Sequence, residues 1–341
     1  MFEKIISLKN LFDAWTEFRR DKKKKKDIAE FELGLEDNIF KLHEDLVRGR
    51  YRHGGYFPFY IHDPKKRHVH KASVRDRLLH HAVIRVIEPM WDSKFIYDSW
   101  SSREYKGTHR AVKRLAKLGL KISRNNTRTL WMLKLDIRKF FFSVDHEILL
   151  QILREKTFDQ RLIGLPEDIT ESFNYGIPLG NLTSQIFANI YMNKLDQFVK
   201  HEMKVPGYIR YADDFILMHT DKSFLEDCIL RIKTFTEQNL KLQIHPDKII
   251  LKTYASGIDY LGYVCFPHYR VLRTKTKKRM FRKVTAKNFS SYNGILSHCR
   301  SRNLRIKLLQ KLNRKIPKKW IRKKVNNLKS PSTSTSQFKK V

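Results

Sequence analysis

Apolar side chains return at helical spacing early in the chain, at Leu8, Leu11, Trp15 and Phe18 and again at Ile39, Leu42 and Leu46, so the first fifty residues read as helices. Between these two sets lies DKKKKKD, Asp21 to Asp27, which reads as a solvated loop. Residues 51–75 alternate aromatic and basic positions, as in YFPFYIHDPKKRHVH, a pattern that suits the strands of a small basic sheet. Helical patterns follow at 77–91, where Leu78, Val83, Val86 and Ile87 form an apolar face, and at 145–155, 183–203 and 222–239. WMLKLD, 131–136, predicts a short strand ending in an acid. GYIRYADDFILMH, 207–219, predicts two apolar half-strands meeting at Asp213 and Asp214, and further strands are expected near 248–252 and 258–266. Beyond 270, Asn303 is placed to cap a helix whose Leu304, Leu308, Leu312 and Ile316 repeat every four residues before Pro317. The tail SPSTSTSQFKKV is polar and low in complexity, and no repeat of 20–50 residues is visible.

Charge sharpens this pattern. The 341 residues carry 70 Lys and Arg against 35 Asp and Glu, a formal charge of +35, yet 41% are hydrophobic and 12% aromatic, enough for a packed core and too much for a disordered polycation. From Arg270 onward there are 24 Lys or Arg and no acid, so composition marks a boundary there. Such an excess calls for a polyanionic partner, with nucleic acid first and an anionic membrane surface a poor second. No apolar run approaches a membrane span, and MFEKIISLKN has no signal-peptide pattern. Cys228, Cys265 and Cys299 are isolated, which argues against both a disulfide framework and a structural zinc and fits a reducing, cytoplasmic setting.

The candidate chemistry lies in the acids. Asp213-Asp214 alone reads most simply as a surface turn, since Asp is a favoured turn residue. Asp136 changes the balance, because it ends an apolar strand and precedes Phe140-Phe141-Phe142. If the two strands lie side by side, three carboxylates converge on one edge. Hard oxygen ligands suit Mg²⁺, and a pair of such ions serves in-line phosphoryl transfer.

At this point the residues resemble reverse transcriptases. Tyr211-Ala212-Asp213-Asp214 looks like the Y-x-D-D box, and Asp136 in DIRKFFFSVDH looks like the first catalytic-aspartate motif. GIPLGNLTSQIFANIYM at 176–192 resembles the segment between them. DPKKR, DRLLHHAV, SSREYKGTHRAV, LKLQIHPDK and YLGY match flanking blocks in order, so the likeness covers roughly residues 1–320. Ser184-Gln185, where most bacterial relatives have Ser-Pro, is similar to the reverse transcriptases of diversity-generating retroelements, as is SYNGILSH at 291–298.

The resemblance implies an α+β right-hand polymerase: an N-terminal helical extension over 1–50, fingers over 51–130, and a palm of antiparallel sheet plus helices over 131–269, with 145–185 partly fingers. A basic helical thumb over 270–328 and a disordered tail over 329–341 complete it. It implies two Mg²⁺ ions, for which Mn²⁺ can substitute, held by Asp136, Asp213 and Asp214 with the Ile137 carbonyl as an extra ligand. Arg67 and Lys71 are expected on the incoming dNTP, Phe141 as the gate against a 2′-hydroxyl, and Leu179, Gln185 and Lys248 around the nucleotide. The competing readings are core packing for Phe141, a solvated basic face for Arg67 and its neighbours, and a surface lysine at a strand start for Lys248. Tyr211, Gly262 and Tyr292 are expected on template or primer, and Arg103 on the template or holding the fingers. His68, His70, His80 and His81 lack a third convergent ligand and read as polar or nucleic-acid-facing, not as zinc ligands.

Many reverse transcriptases have Gln where this chain has Leu179. Leucine cannot make that hydrogen bond, so positioning should rely more on shape; an apolar residue here is similar to the diversity-generating group, and that resemblance implies low fidelity at template adenines. The expected partners are a template-repeat RNA, the growing cDNA and its primer, dNTPs and a small accessory variability protein, with no membrane. The source is expected to be bacterial, archaeal or phage. The alternatives are a group II intron-like or phage-defence reverse transcriptase of ordinary fidelity, and a non-catalytic RNA-binding scaffold.

Overall fold

The computed structural model describes residues 1–63, 65–155 and 159–313, in two compact units, Met1–Thr253 and a second beginning at Tyr254. The first unit opens with α1 (Phe2–Ile6), α2 (Leu8–Arg19), α3 (Lys26–Leu33) and α4 (Leu35–Val47). Ser7 caps α2 by accepting from the Asn10 amide, and the predicted stripe Leu11, Trp15 and Phe18 is buried. These helices are bolted to the rest of the unit. The Asn10 side chain donates to the Ala82 carbonyl at 3.1 Å, and Arg85 reaches back to Asn10, Asp13 and Glu17.

An antiparallel hairpin follows, β1 (Tyr56–Ile61) against β2 (Arg67–Ala72), with Phe57, Phe59, Tyr60 and Ile61 exposed. Ser73 caps α5 (Val74–Asp92) by accepting from the Asp76 amide, while its hydroxyl donates to the Asp76 carboxylate. Next come α6 (Thr108–Ile122), β3 (Trp131–Asp136), α7 (Phe140–Ser143), α8 (His146–Arg154), α9 (Gln160–Glu171) and α10 (Leu182–Gln197). They are followed by β4 (Gly207–Tyr211), β5 (Asp214–His219), α11 (Lys222–Leu240) and β6 (Ile250–Thr253).

The four strands form one antiparallel sheet in the order β4-β5-β3-β6. Met132, Leu133 and Leu135 of β3 and Phe215 to Met218 of β5 are all buried, so both faces of the sheet are covered. That explains why these strands read as apolar runs and not as alternation. Full burial of each such side chain contributes about 1.5–3 kcal/mol, which makes this sheet the stiff part of the unit.

In the second unit β7 (Ile258–Tyr260), β8 (Tyr263–Cys265) and β9 (Arg270–Leu272) form a three-stranded sheet, followed by α12 (Thr274–Lys283), α13 (Phe289–Leu296) and α14 (Arg302–Asn313). Composition placed the boundary at 270, but the unit begins at Tyr254, because β9 closes onto β8 and carries the basic segment into that sheet. Helix α14 starts at Arg302, so Asn303 lies inside it and does not cap it. Leu308 and Leu312 are buried as expected. Ile316, Pro317 and the tail lie outside the described residues. No helix among the described residues is long and apolar enough to cross a membrane.

Candidate active site

The register of the sheet assembles the acids. Asp136, last in β3, faces Asp214, first in β5, and Tyr211 of β4 faces Asp214 from the other side. The β4–β5 connection is therefore only Ala212 and Asp213, and the Ile137 amide donates to the Asp213 carbonyl at 3.3 Å. Ala212 sits at φ +55, a left-handed conformation that costs a residue with a Cβ about 1–2 kcal/mol.

What holds this turn is a residue that sequence reasoning passed over. The Arg210 guanidinium, 0% exposed, grips both oxygens of buried Asp196 at 2.7 and 2.6 Å. It also donates to Ser99 Oγ, Asn189 Oδ1 and, at 3.1 Å, the Ala212 carbonyl. Tyr208 completes the set by donating to Asp196 at 2.8 Å. The available signal was an arginine inside an otherwise apolar strand, since a buried charge demands a partner.

Three carboxylates here face two lysines. Lys248 Nζ donates to Asp136 Oδ1 at 2.6 Å, and Lys134 Nζ lies 2.8 Å from Asp214 Oδ2. Burial, followed by the neighbouring Asp136 charge, pushes the Asp213 carboxyl upward, with Lys248 and Arg67 opposing. Burial likewise raises Asp214 to about 6 despite Lys134, and its buried Oδ1 has no hydrogen-bond partner. Among the described residues no group of three or more His, Cys, Asp or Glu forms a ready metal cluster. The donor set nevertheless fits hard cations: all oxygen, short of positive charge, with one buried carboxylate oxygen unpaired.

The other expected residues divide. Arg67 is exposed at the start of β2 and acts electrostatically on Asp213. Phe141 is half-buried between buried Phe140 and exposed Phe142, and its carbonyl accepts from the Ile177 amide at 2.7 Å. The Leu179 carbonyl accepts from the His70 amide at 3.1 Å, joining its segment to β2. Gly180 follows at φ +115, where a side chain would also run into Val69. The Tyr211 hydroxyl accepts from Thr108. Lys71 is paired with Asp27 at 2.6 Å and, with exposed Gln185, lines a cavity that none of the three aspartates reaches.

The Arg103 side chain is 6% exposed and spends its donors on Asp92 and on the Ile96 and Ser99 carbonyls, so it braces a segment within the span expected to form the fingers. Gly262 and Tyr292 belong to the second unit. Gly262 (φ +89), with Leu261 (φ +49), makes the two-residue β7–β8 turn, and Tyr292 is half-buried on α13. His80, expected to be polar or nucleic-acid-facing, is buried instead at 1% exposure, its Nε2 3.1 Å from His53 Nε2.

The chain is similar to several known proteins. Protein YkfC of Escherichia coli is 25% identical over 301 residues, covering 73% of this chain and 77% of its own. The group II intron-encoded protein LtrA of Lactococcus lactis subsp. cremoris is 24% identical over 321 residues. That match covers 72% of this chain but only 51% of LtrA, so the chain spans about half the length of that relative. Among solved structures, apo telomerase from Candida tropicalis superposes with a TM-score of 0.53 at 12% identity over 72% of this chain and 52% of that one, a likeness of fold. Residues 62–265 match the reverse transcriptase (RNA-dependent DNA polymerase) family, and on that match, with the acids in register at one sheet edge, the chain belongs to the reverse transcriptases.

Proposed function

We propose that the protein copies a template-repeat RNA into cDNA in a diversity-generating retroelement and does so inaccurately at template adenines. The observation carrying this reading is Leu179. An apolar side chain stands where many reverse transcriptases use a hydrogen-bonding Gln, in a segment joined to β2 through its own carbonyl. With no side-chain hydrogen bond to the nucleotide, selection falls to shape, which discriminates less sharply. Ser184-Gln185 supports the same subtype. The small accessory variability protein belongs to this proposal.

In the proposed reaction the primer 3′-hydroxyl attacks the α-phosphate of a dNTP. The new O–P bond forms as the bond to pyrophosphate breaks. Asp136, Asp213 and Asp214 would hold two Mg²⁺, which when bound supply charge stabilisation and an activated hydroxyl. Arg67 meets the triphosphate, and Lys248 neutralises Asp136 until substrate arrives and then serves the departing pyrophosphate. Phe141 lies five residues beyond Asp136 and, half-buried, excludes a 2′-hydroxyl.

The second reading is a group II intron-like enzyme of ordinary fidelity, favoured by the match to LtrA. Primer extension on RNA templates bearing each base, with sequenced products, separates the two. Misincorporation concentrated at adenine and reduced in Leu179→Gln supports the first, whereas equal accuracy at all four bases supports the second.

A further inference from the structure

The middle of β3 holds a lysine that its apolar pattern does not require. Lys134 sits between Leu133 and Leu135, pairs with Ile216 on one side and Ile250 on the other, and is 8% exposed. Among the described residues it is the only buried lysine. Stability alone does not explain it, because well-packed apolar residues are often as stable as a buried ion pair or more so. Its direction is informative. Alternation along β3 puts Lys134 on the face of Asp136, and Asp214 lies opposite Asp136. The lysine stem therefore runs along the diagonal from β3 to β5 and brings Nζ to 2.8 Å from Asp214 Oδ2.

The two lysines at this edge differ in freedom. Lys248 ends the short turn Pro246–Lys248 before β6 with 42% of its side chain exposed, so it can leave Asp136. The Lys134 side chain is 10% exposed and enclosed between paired strands, so its ammonium stays at Asp214. Asp214 is consequently held by one oxygen and unpaired at the other, since Oδ1 is buried without a hydrogen-bond partner. A cation shared by both oxygens would lie against the ammonium and be repelled, whereas one that meets Oδ1 alone is repelled less.

We propose that Lys134 is a positioning residue: it anchors Asp214 by Oδ2, leaves Oδ1 as that residue's single metal ligand, and so favours a small octahedral cation over Ca²⁺. Mg²⁺ demands near-ideal octahedral geometry, whereas Ca²⁺ takes about six to eight oxygens and accepts both oxygens of one carboxylate. The fixed ammonium also offsets part of the repulsion among three neighbouring acids, so the ligand set is held together before any ion arrives. This role rests on the proposed use of Asp136, Asp213 and Asp214 as metal ligands.

The test follows metal binding directly, with the full chain and without RNA or dNTP. Mn²⁺ binding is read by EPR, and Ca²⁺ is added to displace it. Lys134→Met keeps the stem and removes the charge, so Mn²⁺ should bind about tenfold tighter. Ca²⁺ should gain more than Mn²⁺, by a further factor of about three or more, because Asp214 can then offer both oxygens. Extension in Mg²⁺ should nevertheless fall about tenfold in kcat, since the carboxylate is no longer held in place. In an Asp214→Asn background Lys134→Met should leave the preference between the two ions unchanged, which separates action through Asp214 from lost packing. Lys134→Gln, too short to span the diagonal, should shift both ions in the same directions and serves if Lys134→Met melts early. Equal affinities in wild type and these variants, an equal gain for both ions, or a changed preference that persists with Asp214→Asn overturns the proposal. Asp213→Asn is the control and should lose Mn²⁺ binding. If it binds Mn²⁺ as wild type does, the metal assignment falls and the role of Lys134 with it. If it loses binding while the Lys134 variants match wild type, only the role of Lys134 falls.

Discussion

The edge carrying the aspartates and the cavity beneath the α2–α3 turn are electrostatic opposites. At the edge three carboxylates confront Lys134 and Lys248, and the surplus is negative. In the cavity Lys22, Lys25, Lys71 and Arg77 confront Asp27 and Asp21, and the surplus is positive. Each also keeps a buried polar atom unpaired, Asp214 Oδ1 at the edge and the Asn181 amide in the cavity. A protein that only needed stability would pair these groups internally, as it does at Arg210–Asp196, where the guanidinium meets both carboxylate oxygens, Ser99, Asn189 and the Ala212 carbonyl. The contrast teaches that imbalance of charge, more than burial itself, distinguishes a candidate site from a structural ion pair in this chain.

The strongest way to break that comparison is Asp213→Asn. Extension should fall by a factor of about 10³ or more, the loss of several kcal/mol of charge stabilisation. Melting temperature should stay level or rise, because the substitution removes a raised, mutually repelling carboxylate. RNA binding in filter assays should persist. Retained synthesis would remove the edge from the chemistry, and a steep loss of stability would mean that its charges are paired more fully than their geometry indicates.

The internally balanced pair gives the next effect. Asp196→Ala strands a buried guanidinium and should cost about 3–5 kcal/mol, read by denaturant melts. Replacing both partners, Arg210→Met with Asp196→Leu, should restore most of that stability. Extension should stay low and need more Mg²⁺ for half-maximal rate, because Ala212 then has no donor on its carbonyl and its left-handed turn loosens. A double variant with full activity and unchanged Mg²⁺ dependence would reduce Arg210 to packing.

The two regions also differ in how far they could be read from the chain. The acid edge is legible because strand period and strand ends are local. WMLKLD and GYIRYADDFILMH declare both the strands and their meeting point, and antiparallel pairing does the rest. The cavity draws on α2, its following turn, β2, α5 and the start of α10, segments far apart in sequence, so no window contains its pattern. The lysine run at 22–26 reads as a solvated loop, yet Lys22 is half-buried, and Asp27, at the end of the run, is tied to Arg77 and Lys71. The choice between the two roles expected for Arg103 was hidden for the same reason: its partners are backbone carbonyls and Asp92, and an arginine in a family block carries no sign of whether it faces inward. The domain boundary moved because charge composition changes at 270 while hydrogen bonding in β7–β9 begins the second unit earlier.

The smallest effect sharpens the cavity side alone. His81 borders it, and burial, with Lys22, Arg77 and Arg85 adding repulsion, lowers its pKa to about 4. An unfolded histidine titrates near 6.5, so between these values the unfolded chain binds the proton more tightly than the folded one. The contribution from neutral His81 is therefore complete above about pH 6.5, declines as pH falls, and is gone below about pH 4. Its size is about 1–3 kcal/mol, given the partial exposure of the ring. Other groups titrate over the same range, so the informative quantity is a difference: melting curves of wild type and His81→Asn should converge as pH drops from 7 to 4. Lys22→Ala should raise the His81 pKa seen by NMR titration, because it removes one of the repelling cations. Parallel melting curves, or a titration unmoved by Lys22→Ala, would mean that the cavity's positive charge is screened before it reaches the ring.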